Sequence, residues 1–143
     1  MRITSFTDFG LRTLIYLGAL PSGQLSSITE VSALYDASHN HMTKVIGQLR
    51  KCGYVKALRG KGGGICLALP AEQIRIGDVM RALEVHLDGV DCNTTECRLL
   101  PHCKLKQAIK KGMESFFNTM NEYTLADIVE DKMQLHNLLE ISD

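Results

Sequence analysis

SHNHMTKVIGQLRKCGYVKALRGKGGGICLAL, residues 38–69, decides the architecture of this 143-residue chain. In its first half, Met42, Val45, Ile46 and Leu49 recur at three- and four-residue steps, the spacing of one apolar helix face. Ser38 stands where an N-cap belongs, and Gly53 supplies the stop. The other side of that helix carries His39, Asn40, His41, Thr43, Lys44 and Gln48. In the second half, residues 54–58 and 65–69 are strand-like runs around Arg59-Gly60-Lys61-Gly62-Gly63-Gly64. That pattern predicts a β-hairpin with a basic, glycine-rich tip directly after the helix. A nucleotide-binding loop does not fit, because Gly60-Lys61 leads into glycines and a strand rather than Ser/Thr and a helix.

Working upstream, Ser26 or Ser27 caps a short helix through Ile28, Val31 and Leu34, and Asp36-Ala37-Ser38 makes a tight turn. Two short helices joined by such a turn, followed by a hairpin, predict a winged helix-turn-helix. Its second helix offers side chains suited to base edges: Asn40 and Gln48 for adenine, Lys44 for guanine or phosphate, with His39 and His41 beside them. Lys56, Arg59 and Lys61 suit phosphates, and Ser38 and Gly63 suit backbone-level contact with the duplex. Further upstream, Phe6, Phe9, Leu11, Leu14, Ile15, Leu17 and Leu20 mark an amphipathic helix ended by Pro21-Ser22-Gly23. Ser5 and Asp8 have the spacing of a capping box at its start.

Downstream, Pro70 closes the hairpin and a short helix is expected over residues 77–84. From Lys104, the positions Leu105, Ala108, Ile109, Met113, Phe116, Phe117 and Met120 form a long stripe at helical spacing. Only one more short helix and a tail follow, so the stripe predicts helix–helix pairing in a homodimer, packing on the chain's own first helix, or both.

Formal net charge is zero, but the halves differ. Residues 1–81 hold ten Lys/Arg against five acids, and residues 82–143 hold six against eleven. Between Ala37 and Ala71 there is no acid at all, while Lys44, Arg50, Lys51, Lys56, Arg59 and Lys61 fall there. Such a stretch suits a polyanion such as double-stranded DNA. The sequence shows no membrane-length apolar run and no signal-peptide layout, so a cytoplasmic protein is expected. In that reducing compartment, five cysteines are read as metal-binding or redox-active rather than as disulfides.

Three of them, Cys92, Cys97 and Cys103, lie within twelve residues at spacing Cys-x4-Cys-x5-Cys. Thiolates so close together on one segment suit a soft metal or an iron–sulfur cluster. Asn93-Thr94-Thr95 and Pro101 make the segment irregular. A closed zinc site or a full cluster wants four ligands, so one is missing. His102 is the local candidate, but it adjoins Cys103, and neighbouring side chains point apart. Cys52 and Cys66 read as small buried apolar residues.

Thr4-Ser5-Phe6-Thr7-Asp8-Phe9-Gly10-Leu11-Arg12, Asn40-His41-Met42, residues 49–55, Arg59-Gly60-Lys61 with Gly63-Gly64, residues 74–79, and the three-cysteine segment followed by Leu105-Lys106-Gln107 carry a resemblance. Together they resemble the NsrR-type nitric-oxide-sensing repressors, part of a dimeric winged-helix family of iron–sulfur regulators that also includes IscR. The likeness extends over residues 1–131. It implies a homodimer binding a near-palindromic operator, with a cluster (2Fe-2S or 4Fe-4S) held by Cys92, Cys97 and Cys103. It further implies that Asp8, from the first helix of the other subunit, is the fourth ligand. The IscR-type pattern has a ligating histidine three residues after the last cysteine, where this chain has Lys106. An ammonium cannot ligate a metal. His39 departs from the family's usual arginine, and Gly62 and Cys66 are local departures in the wing.

The expected fold is therefore mainly α with a small β-hairpin wing, a winged helix-turn-helix plus a long dimerisation helix. The expected division is residues 1–84 for DNA binding, 85–103 for the cluster, 104–131 for dimerisation, and 132–143 as a C-terminal tail. The expected function is repression relieved when nitric oxide attacks the cluster, derepressing nitric oxide detoxification genes. An IscR-like regulator of iron–sulfur biogenesis, or a winged-helix regulator with structural zinc, are the alternatives. No nucleophile–base pair or paired carboxylates point to an enzyme.

Overall fold

The computed structural model describes residues 2–93 and 96–142. Helix α1 (Ser5–Ala19) starts one residue earlier than the capping-box pattern predicts, with Thr4 as N-cap. Thr4 has extended backbone, and its hydroxyl accepts the Thr7 N–H at 3.4 Å while its carbonyl accepts the Asp8 N–H at 3.0 Å. Asp8 is thus the fourth residue of the helix, in its first turn, and does not cap it. Leu14, Leu17 and Leu20 face the core as their spacing predicts, together with the small residues Thr7, Gly10 and Thr13. A β-carbon at Gly10 would collide with Leu83, so the glycine sets how closely α1 approaches the next part of the core.

Helix α2 (Ile28–Leu34) is held at its start by a complete capping box between Ser27 and Glu30. Asp36, at φ 48°, turns the chain into α3 (His39–Lys51), capped by Ser38. All four apolar stripe residues of α3 are at most 1% exposed. Strands β1 (Val55–Leu58) and β2 (Gly64–Leu67) pair antiparallel, Val55 opposite Leu67 and Leu58 opposite Gly64. A further bridge joins Ser26 to Ile65, each N–H donating to the other's carbonyl at 3.0 and 2.8 Å. The hairpin is therefore tied to the loop before α2 as well as to α3.

Pro70 and a 3-10 turn lead to α4 (Ile76–Leu83), which has no cap from its own segment. Asn121 supplies one from the end of α5 (Lys104–Met120): its Oδ1 accepts the Asp78 N–H at 2.9 Å. Gly77 makes this possible, because a side chain there would strike the Phe117 carbonyl and Asn121. Phe117 is buried beneath the Arg81 guanidinium, 4.8 Å from its ring centroid. The α5 stripe divides: Met113 and Phe117 enter the core, while Leu105 (68% exposed) and Phe116 (40%) do not. Helix α6 (Leu125–Ile128) follows, then α7 (Lys132–Leu139), where the sequence suggested only a tail. Leu135 and Ile141 pack against the core, and His136 Nε2 hydrogen-bonds to the Ala19 carbonyl at 2.6 Å. Among the described residues, no helix is long and apolar enough to cross a membrane.

Candidate functional site

The face formed by α3 and the hairpin is basic because the core fixes its opposite side. Burying Met42, Val45, Ile46 and Leu49 turns His39, Asn40, Thr43 and Lys44 outward, and all four are exposed. Lys56, Arg59 and Lys61 are exposed along the hairpin, with Arg50 and Lys51 at the end of α3. Among the described residues, none of these cations has a carboxylate at ion-pair distance, which leaves them available to an external anion. Gly60 and Gly62 adopt positive φ (99° and 78°), as a tight basic turn requires. Gly63 is needed for another reason: any β-carbon there would run into the Leu58 carbonyl.

Two expected base-facing groups, His41 and Gln48, are placed differently from the sequence reading, while Ser38 caps α3 as its position predicts. His41 turns inward, edge-on to Phe6 and Phe9 of α1 with ring centroids 6.0 and 5.5 Å away. Its Nε2 is buried without a hydrogen-bond partner. The spacing contained that signal, since residue 41 lies one helical turn before buried Val45. Gln48 is half-buried, and its amide donates weakly to the Cys52 sulfur at 3.5 Å. Ser38 has its hydroxyl engaged by the His41 N–H at 3.1 Å. Cys52 and Cys66 are half-buried free thiols rather than fully buried ones.

On α1, the Asp8 carboxylate pairs with the Arg12 guanidinium at 3.0 Å on the surface, one turn along the same helix. Arg12 lies 5.9 Å from the ring centroids of both Phe9 and Tyr35. Tyr35 donates its hydroxyl to the Arg12 carbonyl at 2.9 Å. Burial pushes the Tyr35 phenol up to about 12, so it remains a donor at any physiological pH.

Cys92, Cys97 and Cys103 are half-buried free thiols. Cys103 is the N-cap of α5, and its sulfur accepts the Lys106 N–H at 3.4 Å. Helix N-termini favour negative charge, the form in which sulfur binds metals. His102 is exposed at the end of a 3-10 turn (Leu100–His102). The expected irregular course of residues 93–95 falls in part on Thr94 and Thr95, outside the described residues. Among the described residues, no group of three His, Cys, Asp or Glu converges well enough to hold a metal ion, so the three sulfurs are not gathered by packing. As donors they still suit an iron–sulfur cluster: three accessible thiols on one segment, one at a helix N-terminus.

One group central to this region left no pattern in the sequence. Glu84, only 8% exposed, ends α4 and accepts hydrogen bonds on both carboxylate oxygens. Its Oε2 accepts the Thr4 N–H (2.8 Å), the Thr4 hydroxyl (3.0 Å) and the Thr7 hydroxyl (3.0 Å). Its Oε1 accepts the N–H groups of Val85 (3.1 Å) and His86 (3.4 Å). Burial alone would raise its pKa, but these donors outweigh burial and hold it below the usual carboxylate value. Beside it, a cavity of about 430 Å³ opens between residues 2–4, residues 84–93 and α5.

A helix-turn-helix with a basic hairpin wing defines a winged-helix DNA-binding protein. A family model described as Rrf2, iron-dependent transcriptional regulator, matches residues 3–131, and the chain belongs to that family of transcriptional regulators. Similar solved structures agree on the fold. The T. potens IscR is 24% identical with a TM-score of 0.72, the match covering 92% of this chain and 88% of that one. CymR (YrzC), the global cysteine regulator of B. subtilis, is 21% identical with a TM-score of 0.71, covering 91% and 97%. The oxidized form of Staphylococcus aureus CymR is 24% identical with a TM-score of 0.71, again covering 91% and 97%. At these identities the likeness is one of fold. The chain is thus a DNA-binding transcriptional regulator, of a family whose members are not enzymes.

Proposed function

We propose that this regulator is a homodimeric repressor holding an iron–sulfur cluster on Cys92, Cys97 and Cys103, and that nitric oxide relieves its repression by attacking that cluster. The observation that carries the reading is the three-cysteine segment ending on the N-cap of α5, in a chain of an iron-dependent family. Two further features favour the nitric-oxide branch over an IscR-like role. Lys106 stands where the IscR-type pattern wants a ligating histidine. Asp8, free of any capping duty, is available to a second subunit as fourth ligand, its exposed pairing with Arg12 worth only about 0.2–1 kcal/mol. Three thiolates and one carboxylate serve a 2Fe-2S or a 4Fe-4S cluster equally.

The labour divides along the chain. Residues 1–84 bind the operator, 85–103 hold the cluster, and 104–131 pair the subunits through the exposed part of the α5 stripe, Leu105 and Phe116. When bound, the cluster supplies iron, for which nitric oxide competes with thiolate and carboxylate. Asp8 would hold that iron as a ligand, and without it the carboxylate pairs with Arg12. Both half-sites of an operator must be met together, so a modest shift of one winged unit against the other weakens binding severely. Lys44, Lys56, Arg59 and Lys61 neutralise phosphates in this reading, while His39 and Asn40 face the bases.

The test is an anaerobic absorption spectrum of the purified protein, repeated during a nitric oxide titration, with operator binding followed in parallel. A brown protein whose visible band bleaches as DNA is released supports the reading. A colourless protein carrying zinc, or a brown one that keeps its DNA in nitric oxide, overturns it.

A further inference from the structure

We infer that Glu84 is a positioning residue linking the cysteine segment to the recognition helix within a single subunit. The contact set behind this is continuous. Glu84 closes α4 and opens the segment that leads to Cys92. Its Oε2 holds Thr4 and Thr7 at the start of α1, and its Oε1 holds the backbone of Val85 and His86. Phe6 and Phe9, on the same turns of α1, meet the His41 ring on α3. The His41 Nε2 is buried with no partner, so aromatic packing rather than a hydrogen bond keeps that ring in place. Any movement of residues 84–86 therefore pulls on the start of α1, and α1 bears on the first turn of the DNA-reading helix. The cavity of about 430 Å³ beside residues 84–93 leaves that segment room to move.

The carboxylate is required at this position. All five contacts to Glu84 come from donors, and each oxygen receives at least one backbone N–H, which cannot rotate into an acceptor. A glutamine amide would set its NH2 group against a backbone N–H in either orientation. This link is separate from the Asp8 route between subunits. What it serves rests on the cluster reading above, but whether it exists does not.

Amide hydrogen exchange on the metal-free protein tests it, so a chain that never takes up a cluster leaves the test intact. In E84Q, exchange at residues 4–8 and 84–86 is expected to quicken about tenfold, and residues 41–44 at the start of α3 are expected to quicken with them. Amides of Ile46, Leu49 and Phe117 report global opening and are expected to stay within about twofold of wild type. If E84Q does not fold, Thr7→Val removes one donor at constant volume and gives the same pattern more weakly, while Thr7→Ser restores it. In a His41→Ala background, E84Q is expected to quicken residues 4–8 and leave residues 41–44 no faster than His41→Ala alone. Loosening at residues 4–8 and 84–86 with residues 41–44 unmoved in the otherwise native chain would overturn the inference, as would uniform quickening of every amide.

Discussion

Lys44 and the hairpin cations reach their places from elements nailed into the core, whereas Cys92, Cys97 and Cys103 come from a segment with few anchors among its described residues. The α3 stripe is essentially inaccessible to water, and the hairpin is tied at both α3 and Ser26. Between Glu84 and the α5 N-cap, the ties include the Glu84 oxygens, Gly89 seated at positive φ against Ile109 and Met113, the Asp91 carboxylate accepting the Asn93 N–H, and local turns. The difference teaches what each surface waits for. A phosphate lattice has fixed spacing and meets preset cations, while in the proposed cluster reading the sulfurs that would wrap one centre need freedom until that centre arrives.

The contrast yields graded expectations. Cys97→Ser should cut it most sharply: cluster uptake is lost and specific operator affinity drops by about three orders of magnitude toward its non-specific level. Chemical denaturation of the metal-free variant should stay within about 0.5 kcal/mol of wild type, and a larger loss would mean that the segment is part of the core after all. Phe117→Ala removes the ring on which α4 and α5 meet and should cost about 3–5 kcal/mol in the same denaturation assay. On the DNA side, Lys61→Ala should weaken binding to all sequences alike and lower the slope of log affinity against log salt by about one, and an unchanged slope would remove Lys61 from the interface.

The acid limb of stability sharpens the comparison further. The folded-state value of Glu84 lies below its ordinary 4.5, so its contribution is fully present above pH 4.5 and is lost as pH falls through the folded value. Urea midpoints of wild type should decline through that window, and E84Q should lack this part of the decline. Smallest of all, Arg12→Ala should change stability by at most about 1 kcal/mol, because its ion pair with Asp8 is exposed.

Legibility in the sequence follows the same divide. The recognition helix could be read because period and cap agreed, with Ser38, the four stripe residues and Gly53 in order. The hairpin could be read because its glycines fall where turn geometry demands them. Thr4 against Ser5 could not be settled locally, since either hydroxyl can cap and the deciding carboxylate, Glu84, lies eighty residues away. The inward turn of His41 was visible in its spacing from Val45 but ran against its chemistry, because a histidine on a recognition helix reads as a base contact. The last helix was missed because Met133 and Leu138 stay exposed, leaving Leu135 and Ile141 to carry the packing. The spacing of the cysteines suggested a ligand set but no place for it, since spacing along a chain says which atoms can gather and nothing about where.

The Ser26–Ile65 bridge has a consequence for operator architecture. With the hairpin pinned to the loop before α2 and to the end of α3, each winged unit acts as a stencil of fixed width on the duplex. In the proposed homodimer, two such stencils would tolerate sequence drift inside a half-site far better than a change of phase between half-sites. One inserted base pair moves the second half-site about 3.4 Å along the axis and turns it around the duplex by about a tenth of a helical turn. Operators for this protein should therefore vary in letters and hold constant in length.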